Sequence, residues 1–395
     1  MLQLTRPTSP ARPWEIVGGT VLIDGRMRAA DLALAGTIVA DASSDAARFD
    51  AGGLLVLPGI VDVHGDAFER QIMPRPGVSF DLDTALADTD RQLVANGITT
   101  AFHGVTWSWE PGLRGADNAR ALLDALERAV HRLAADTRFH LRHETFNLDG
   151  EAEILDWIAA GRIGCLAFND HMSGVLKDRA RPEKIARMIE RSGLDPADFH
   201  TLIECVHARR DEVPGSIERL AAAARAAAVP MLSHDDGSPD VRRRFRGLGA
   251  TIAEFPIDEA TAEAAIEAGE PTVFGAPNVL RGGSHTGCPS AAEMVARGLC
   301  TVLASDYYYP ALAAAPFRLA RDGRAAFADA WAMVSANPAA AMGLTDRGRL
   351  APGLRGDVVV IDAGVEPPRV VATFAAGRPV HLACTDRLTI ARAAY

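Results

Sequence analysis

Between residues 59 and 306 the chain alternates eight short apolar runs with longer stretches rich in Ala, Arg and Glu. The runs are GIVDVHGD (59–66), GITTAFHG (97–104), RFHLRHET (138–145), IGCLAFND (163–170), VPMLSHDD (229–236), ATIAEFP (250–256), PTVFGAPN (271–278) and CTVLASD (300–306). Runs of this length and composition read as buried strands. The intervening ADNARALLDALERAVHRLAA (116–135) and SIERLAAAARAAA (216–228) carry apolar residues at helical spacing. Strand and helix in alternation imply an α/β fold with a parallel sheet, and eight repeats are the number that closes a (β/α)8, TIM-like barrel. The stretch 172–215 is longer than one crossover requires and predicts extra helices or a lid over the mouth.

The rhythm differs at both ends. From WEIVGGTVLIDGRMRAADLALAG to FDAGGLLVLPG, and again from DRGRLAPGLRGDVVVIDAG to PRVVATFAAGRPVHLA, short Val/Ile/Leu runs are punctuated by DG, AG and GG. A small sheet begun by residues 1–57 and completed by 346–395 would therefore bracket a barrel domain of 58–345. With 48% hydrophobic and 23% charged residues, and no apolar run of about 18 residues, the chain reads as soluble, without a membrane span. Its start, MLQLTRPTSPARPWEIVGG, lacks the basic, apolar and small-residue regions of a secretory signal, so a cytoplasmic location is expected. Five scattered cysteines without CxxC spacing argue for free thiols, and a formal charge of -10 argues against a nucleic-acid partner. A homo-oligomer is compatible with all of this.

In such a barrel the chemistry sits where the strands end. Those positions hold His64 and Asp66, His103, Glu144, Asp170 with His171, His234 with Asp235, Glu254, Asn278 and Asp306. Imidazole nitrogens and carboxylate oxygens together suit zinc, manganese, iron or nickel, as one ion or two. His103 has no patterned partner and reads as an ordinary polar residue at a strand end. Asp235 and Asp236 could cap the following helix instead of touching an ion. Neighbours on a strand point opposite ways, so only one of Asp170 and His171 faces inward, and His171 is preferred. Seven of eight strand ends carrying an acid or histidine outweighs each separate alternative.

These residues carry a resemblance. PGIVDVHGD resembles the opening strand of the amidohydrolase superfamily, where HxH is usual, and GITTAF, LASD, NPA (337–339) and GRLAPGLRGDVVVID resemble its other landmarks. That resemblance implies a (β/α)8 barrel with a small β-sandwich made from both termini. HxD in place of HxH, with PRPGV (74–78), HLRHE (140–144), NDH (169–171), SHDD (233–236), IAEFP (252–256), GAPNVLRGGSHTG (275–287) and SDYYYP (305–310), is similar to the α-D-ribose 1-methylphosphonate 5-triphosphate diphosphatase family, which releases pyrophosphate. Three features depart from it: His103 stands where that family has an acidic residue, His143 where a cysteine is familiar, and GVLKDRARP differs from its Gln/Arg-containing loop.

The expected ion site comprises His64, Asp66, Glu144, His171, His234 and Asp306, with zinc the first choice. An ion there would make a water nucleophilic near neutral pH. The superfamily resemblance gives Asp306 the base role and makes Glu144 a bridging ligand in place of a carboxylated lysine. Glu254 stands where strand 6 ordinarily brings a histidine, as an unusual ligand or a carboxylate orienting one. For a phosphorylated small-molecule substrate, RGGSH offers Arg281, Ser284, His285 and two glycines on the loop after strand 7, a common phosphate position. Asn278, Arg75, Arg70 and Lys177 could assist. A plain glycine turn is the alternative for RGGSH. Two other functions remain open: attack on a C–N bond, as in cyclic amide hydrolases and deaminases of the superfamily, or an inactive barrel kept as a subunit.

Overall fold

The computed structural model describes residues 12–75, 77–177, 182–283 and 289–389. Five strands precede the barrel: β1 (Trp14–Ile23), β2 (Arg26–Ala35), β3 (Thr37–Val39), β4 (Ala47–Asp50) and β5 (Leu55–Pro58). The barrel strands are β6 (Ile60–Gly65), β7 (Ile98–Trp107), β8 (Asp136–Glu144), β9 (Cys165–Asn169), β10 (Met231–His234), β11 (Ile252–Glu254), β12 (Thr272–Gly275) and β13 (Val302–Ala304). They form one parallel sheet in chain order. The ring closes where Gly65 bridges to Asp306, with Asp66 N–H donating to Asp306 O and Asp306 N–H to His64 O, both at 2.9 Å. Buried Asp62 fastens the same seam by accepting from Ser305 N–H (3.0 Å) and Ser305 Oγ (2.6 Å). Gly65 is required there, since a Cβ would stand 2.7 Å from Asp62 Oδ2 and 2.9 Å from Ser305 Oγ.

Period-two alternation explains how the barrel carries a polar mouth on an apolar plug. Val63, Phe102, Cys165, Ala167, Leu232, Ile252, Val273, Val302 and Ala304 pack together inside the ring. Two positions beyond Ala167, Leu232, Ile252 and Ala304 stand Asn169, His234, Glu254 and Asp306. The alternate residues, such as Leu141, Leu166, Phe168, Phe274 and Leu303, pack outward with the helices.

Several strands are shorter than the apolar runs suggest. β10, β11 and β13 stop at or just before the residues that turn out of the sheet, Asp235, Phe255 and Asp306, whose φ values are 57, 53 and 55°. Strand β7 runs on to Trp107 because it pairs with β8 as far as His143. The helix expected at 116–135 ends at Ala129, and the one expected from 216 begins at Val213, with Pro214 accommodated in its first turn. The long stretch before it holds helices His171–Lys177, Pro182–Ser192 and Pro196–Ala208, joined by a core that includes Met172, Ile185, Phe199 and Ile203.

The terminal segments share a second, mostly antiparallel sheet. After the barrel come β14 (Val358–Asp362), β15 (Arg369–Ala375), β16 (Arg378–Leu382) and β17 (Leu388–Thr389), and the order is β16-β15-β14-β5-β1-β2-β3, with β4 between β1 and β17. Strand β1 is parallel to β4 over Trp14–Val17 and to β5 over Thr20–Val21. The exchange falls at Gly18, where φ is 71°, a backbone conformation that glycine adopts without strain. The chain's two ends meet where β14 pairs with β5, around a core of Ile16, Leu34, Phe49, Val56, Val358 and Phe374.

Candidate metal centre

Glu254 lies at the middle of the mouth with no exposed surface. Its Oε1 is 2.7 Å from His64 Nδ1 and its Oε2 2.8 Å from His234 Nδ1. An ionised carboxylate only accepts hydrogen bonds, so each Nδ1 carries the proton and each Nε2 offers a lone pair. The two rings stack at 5.5 Å and 18°, against the edge of Phe255. Burial alone would raise the Glu254 pKa, but the imidazoles of His64 and His140 and the two hydrogen bonds hold it well below the carboxylate range. For His64, burial opposes protonation and the neighbouring Glu254 charge outweighs it, leaving the pKa raised. His234 stays neutral more readily, because burial dominates and lowers its pKa.

Two groups of donors surround this clamp. Ligand atoms of His64, Asp66 and Asp306 lie within 4.8 Å of one another, and so do those of His171, His234 and Asp235. Burial and the adjacent Asp66 charge push Asp306 up to about 6. His64, His140 and Glu254 form a third such group, but both Glu254 oxygens already accept imidazole N–H bonds, which makes it a hydrogen-bond cluster. Mixed nitrogen and carboxylate donors fit a divalent transition ion in either of the first two groups. Gly104 adds room: a Cβ there would stand 3.3 Å from His64 Nε2 and 3.2 Å from Arg142 Cδ.

Glu144, expected among the ligands, faces His171: Oε1 lies 2.5 Å from His171 Nδ1 as an ion-pair contact without a hydrogen bond, and Oε2 accepts the His171 backbone N–H at 3.1 Å. Burial would raise the Glu144 pKa, and His171 pulls it below the usual value. Glu144 thus stands against the His171 ring and backbone and lies outside both donor groups.

Asp170 is exposed and accepts from Ser173 N–H (2.9 Å) and Oγ (2.6 Å), capping the helix that begins at His171. His103 faces away from the mouth, edge-on to Phe68 at 5.2 Å, and burial lowers its pKa to about 4. Asn278 is half-buried near Gly275, where an added Cβ would meet both Asn278 Nδ2 (3.7 Å) and Asp306 Oδ2 (3.4 Å). Arg281 donates to Tyr307 Oη at 3.2 Å, one residue from Asp306. Arg75 and Arg70 are exposed. Ser284, His285 and the Lys177 side chain lie outside the described residues.

Three residues of the mouth were not singled out by the strand-end positions. Arg142 donates to Asp66 Oδ2 (3.4 Å) and to His234 Nε2 (3.2 Å), joining the two donor groups. His140 donates from Nδ1 to Val63 O (3.0 Å), and burial lowers its pKa to about 3. Arg114 pairs with Glu69 at 3.0 Å and reaches Asp66 at 4.0 Å. The alternation in HLRHE places His140, Arg142 and Glu144 on one face, a signal for the first two. Beside the centre, between the ends of β9 and β10 and the following helices, a cavity of about 870 Å³ has His171 and His234 in its wall.

A parallel eight-stranded barrel with histidines and acids at one rim defines a class of hydrolases, and this chain belongs to the amidohydrolase family, which residues 81–381 match. Among its relatives is the alpha-D-ribose 1-methylphosphonate 5-triphosphate diphosphatase of Escherichia coli (strain K12), 33% identical over 321 residues, 79% of this chain and 84% of that protein. Adenine deaminase 2 of Agrobacterium fabrum (strain C58) is 26% identical over 264 residues, 59% of this chain and 41% of that one. The fold is shared with molinate hydrolase (TM-score 0.61, 14% identity, 94% of this chain and 95% of that). It is shared equally with the D-hydantoinase from Bacillus sp. AR9 (TM-score 0.62, 14%, 93% and 95%).

Proposed function

We propose that this chain is a metal-dependent diphosphatase, cleaving ribose 1-methylphosphonate 5-triphosphate or a related phosphorylated metabolite to the 5-phosphate and pyrophosphate. The observation that carries the reading is the Glu254 clamp, which holds two imidazoles by Nδ1, His64 in the donor group with Asp66 and Asp306 and His234 in the group with His171 and Asp235. The relative from E. coli supplies the substrate class. His64, Asp66 and Asp306 would hold one divalent ion, and His171, His234 and Asp235 could hold a second, with zinc the first candidate and manganese, iron or nickel also suited to the donors. When bound, the metal supplies a water that is nucleophilic near neutral pH and positive charge for phosphoryl oxygens. Asp306, in the donor group with His64 and Asp66, would be the carboxylate placed to accept a proton from the attacking water. Arg142, held by its contact with Asp66, would place a guanidinium beside the reacting group.

The test is purification, measurement of bound transition metal, and assay of pyrophosphate release from the ribose phosphonate triphosphate and from nucleoside triphosphates. Absence of pyrophosphate from a metal-replete sample would overturn the assignment. The likeness to adenine deaminase 2 favours a second reading, attack on a C–N bond. Ammonia or a new carboxylate produced from aminopurines or cyclic amides would establish that reading in its place.

A further inference from the structure

The cavity beside the centre has features that hydrolysis at the metal does not use. Its wall includes Arg114, Arg210 and Arg244. The helix Pro239–Gly247 carries four of the chain's arginines, and three of them have carboxylate partners: Arg242 with Asp236 and Glu270, Arg243 with Asp240, and Arg246 with Glu270. Arg244 has no ion-pair partner among the described residues, and it shares the cavity-lining face of that helix with Val241 and Phe245. Arg210 has only an exposed contact with Asp211 at 3.9 Å.

The carboxylates in the same wall are already engaged. Asp170 caps its helix, Asp236 accepts from buried Arg242 at 3.2 Å, and Asp235 lies 3.6 Å from His234 Nε2. Arg244, without an ion-pair partner among the described residues, and Arg210, with only its long contact to Asp211, present exposed guanidinium groups at a cavity whose other surface includes Phe146, Phe168 and Ile217. Guanidinium groups with free donors over an apolar wall suit a tetrahedral oxyanion carried on a small organic body. Arg281, by contrast, follows β12 on a different arc of the rim.

We propose that Arg244 and Arg210 form a second anion site, which binds the phosphonate or phosphate group at the end of the substrate remote from the bond that is cleaved. A molecule anionic at both ends would then span the mouth, with the scissile anhydride over the candidate centre and its far end in this cavity. The proposal rests on the diphosphatase reading for the bond cleaved, while the anion site can be tested separately.

The experiment compares ribose 1-methylphosphonate 5-triphosphate with ribose 5-triphosphate, which lacks the second anion. In the metal-loaded enzyme, Arg244→Ala and Arg210→Ala should each raise KM for the phosphonate substrate by roughly 10- to 100-fold, the worth of a hydrogen bond to a charged group, with kcat little changed. KM for ribose 5-triphosphate should hardly move, and Arg244→Lys should recover part of the loss. Equal effects on both substrates, or none on either, would overturn the site. If neither triphosphate is turned over, only the diphosphatase reading falls. Calorimetric titration with methylphosphonate and with inorganic phosphate, before and after chelator treatment, then decides. Weaker binding by the Arg210→Ala/Arg244→Ala double variant supports the site, a larger loss for one anion identifies the preferred source, and binding equal to wild type overturns it.

Discussion

The sharpest test of the centre is Glu254→Gln. The wild-type carboxylate accepts N–H bonds at 2.7 and 2.8 Å from two imidazoles with no solvent access to either oxygen. Glutamine keeps the shape but has one accepting oxygen and one donating amide. It can satisfy His64 or His234, not both. The other ring must either leave a buried Nδ1–H facing a donor, at about 1–3 kcal/mol, or move its proton to Nε2, which removes the lone pair a metal needs. Since about 1.4 kcal/mol is a factor of ten, metal affinity should fall about 10- to 100-fold, the range seen when a carboxylate behind a ligating histidine is lost. Competition with a chromophoric chelator measures this directly, and circular dichroism verifies that the variant is folded. Wild-type affinity in folded Glu254→Gln would refute the claim that one carboxylate sets both imidazoles.

Asp306 gives a pH prediction. With its pKa at about 6, the metal-free carboxyl must lose a proton to ligate, so metal affinity should drop as pH falls below about 6, by up to tenfold per unit, in a chelator titration. In the metal-free protein the sign for stability is opposite. The folded state holds that proton more tightly than the unfolded chain, so this contribution is complete below the ordinary Asp pKa and lost as pH rises through about 6, readable by urea denaturation. Asp306→Asn with its metal retained should lower kcat by roughly 100- to 10,000-fold, and unchanged turnover would remove Asp306 from the base role. Gly104→Ala places a methyl 3.3 Å from His64 Nε2 and should weaken metal uptake while the fold survives, as chelator competition and circular dichroism would show. Asp62→Ala strips the seam of an acceptor for Ser305 N–H and Oγ and should cost about 1–3 kcal/mol in denaturation midpoints, with little change in metal stoichiometry.

Much of the barrel is legible because each strand writes its own periodicity. Leu232 and His234, Ile252 and Glu254, Ala304 and Asp306 are pairs two residues apart, apolar below and polar above, and the alternation is local. Strand ends are harder to read, since apolar residues continue past the point where Phe255 or Asp306 turns out of the sheet at positive φ. The roles of the carboxylates are harder still. Glu254 is 190 residues from His64 in sequence, and its engagement with two imidazoles depends on which strands the closed ring brings opposite each other. Glu144 and His171, 27 residues apart, present the same difficulty. The arginines of helix Pro239–Gly247 look alike in the sequence and differ only by which carboxylates from other elements happen to reach them.

Arg142 ties these levels together. Its guanidinium donates to His234 Nε2, and a neutral imidazole nitrogen has one lone pair, so that bond and a metal bond at the same atom exclude each other. A metal taken up by His234 must release Arg142 from the ring, leaving its second contact, to Asp66, as the anchor. The side chain then keeps its position beside the centre but gains free N–H donors, in a mouth where low exposure strengthens each charged hydrogen bond. If the chain holds a metal at His234 and takes an anionic substrate, the two events would be coupled through one residue on β8, since a cation on the imidazole frees the guanidinium for an oxyanion. In the metal-free mouth the Arg142 charge, at 5% exposure, is met by the Asp66 carboxylate and the His234 lone pair.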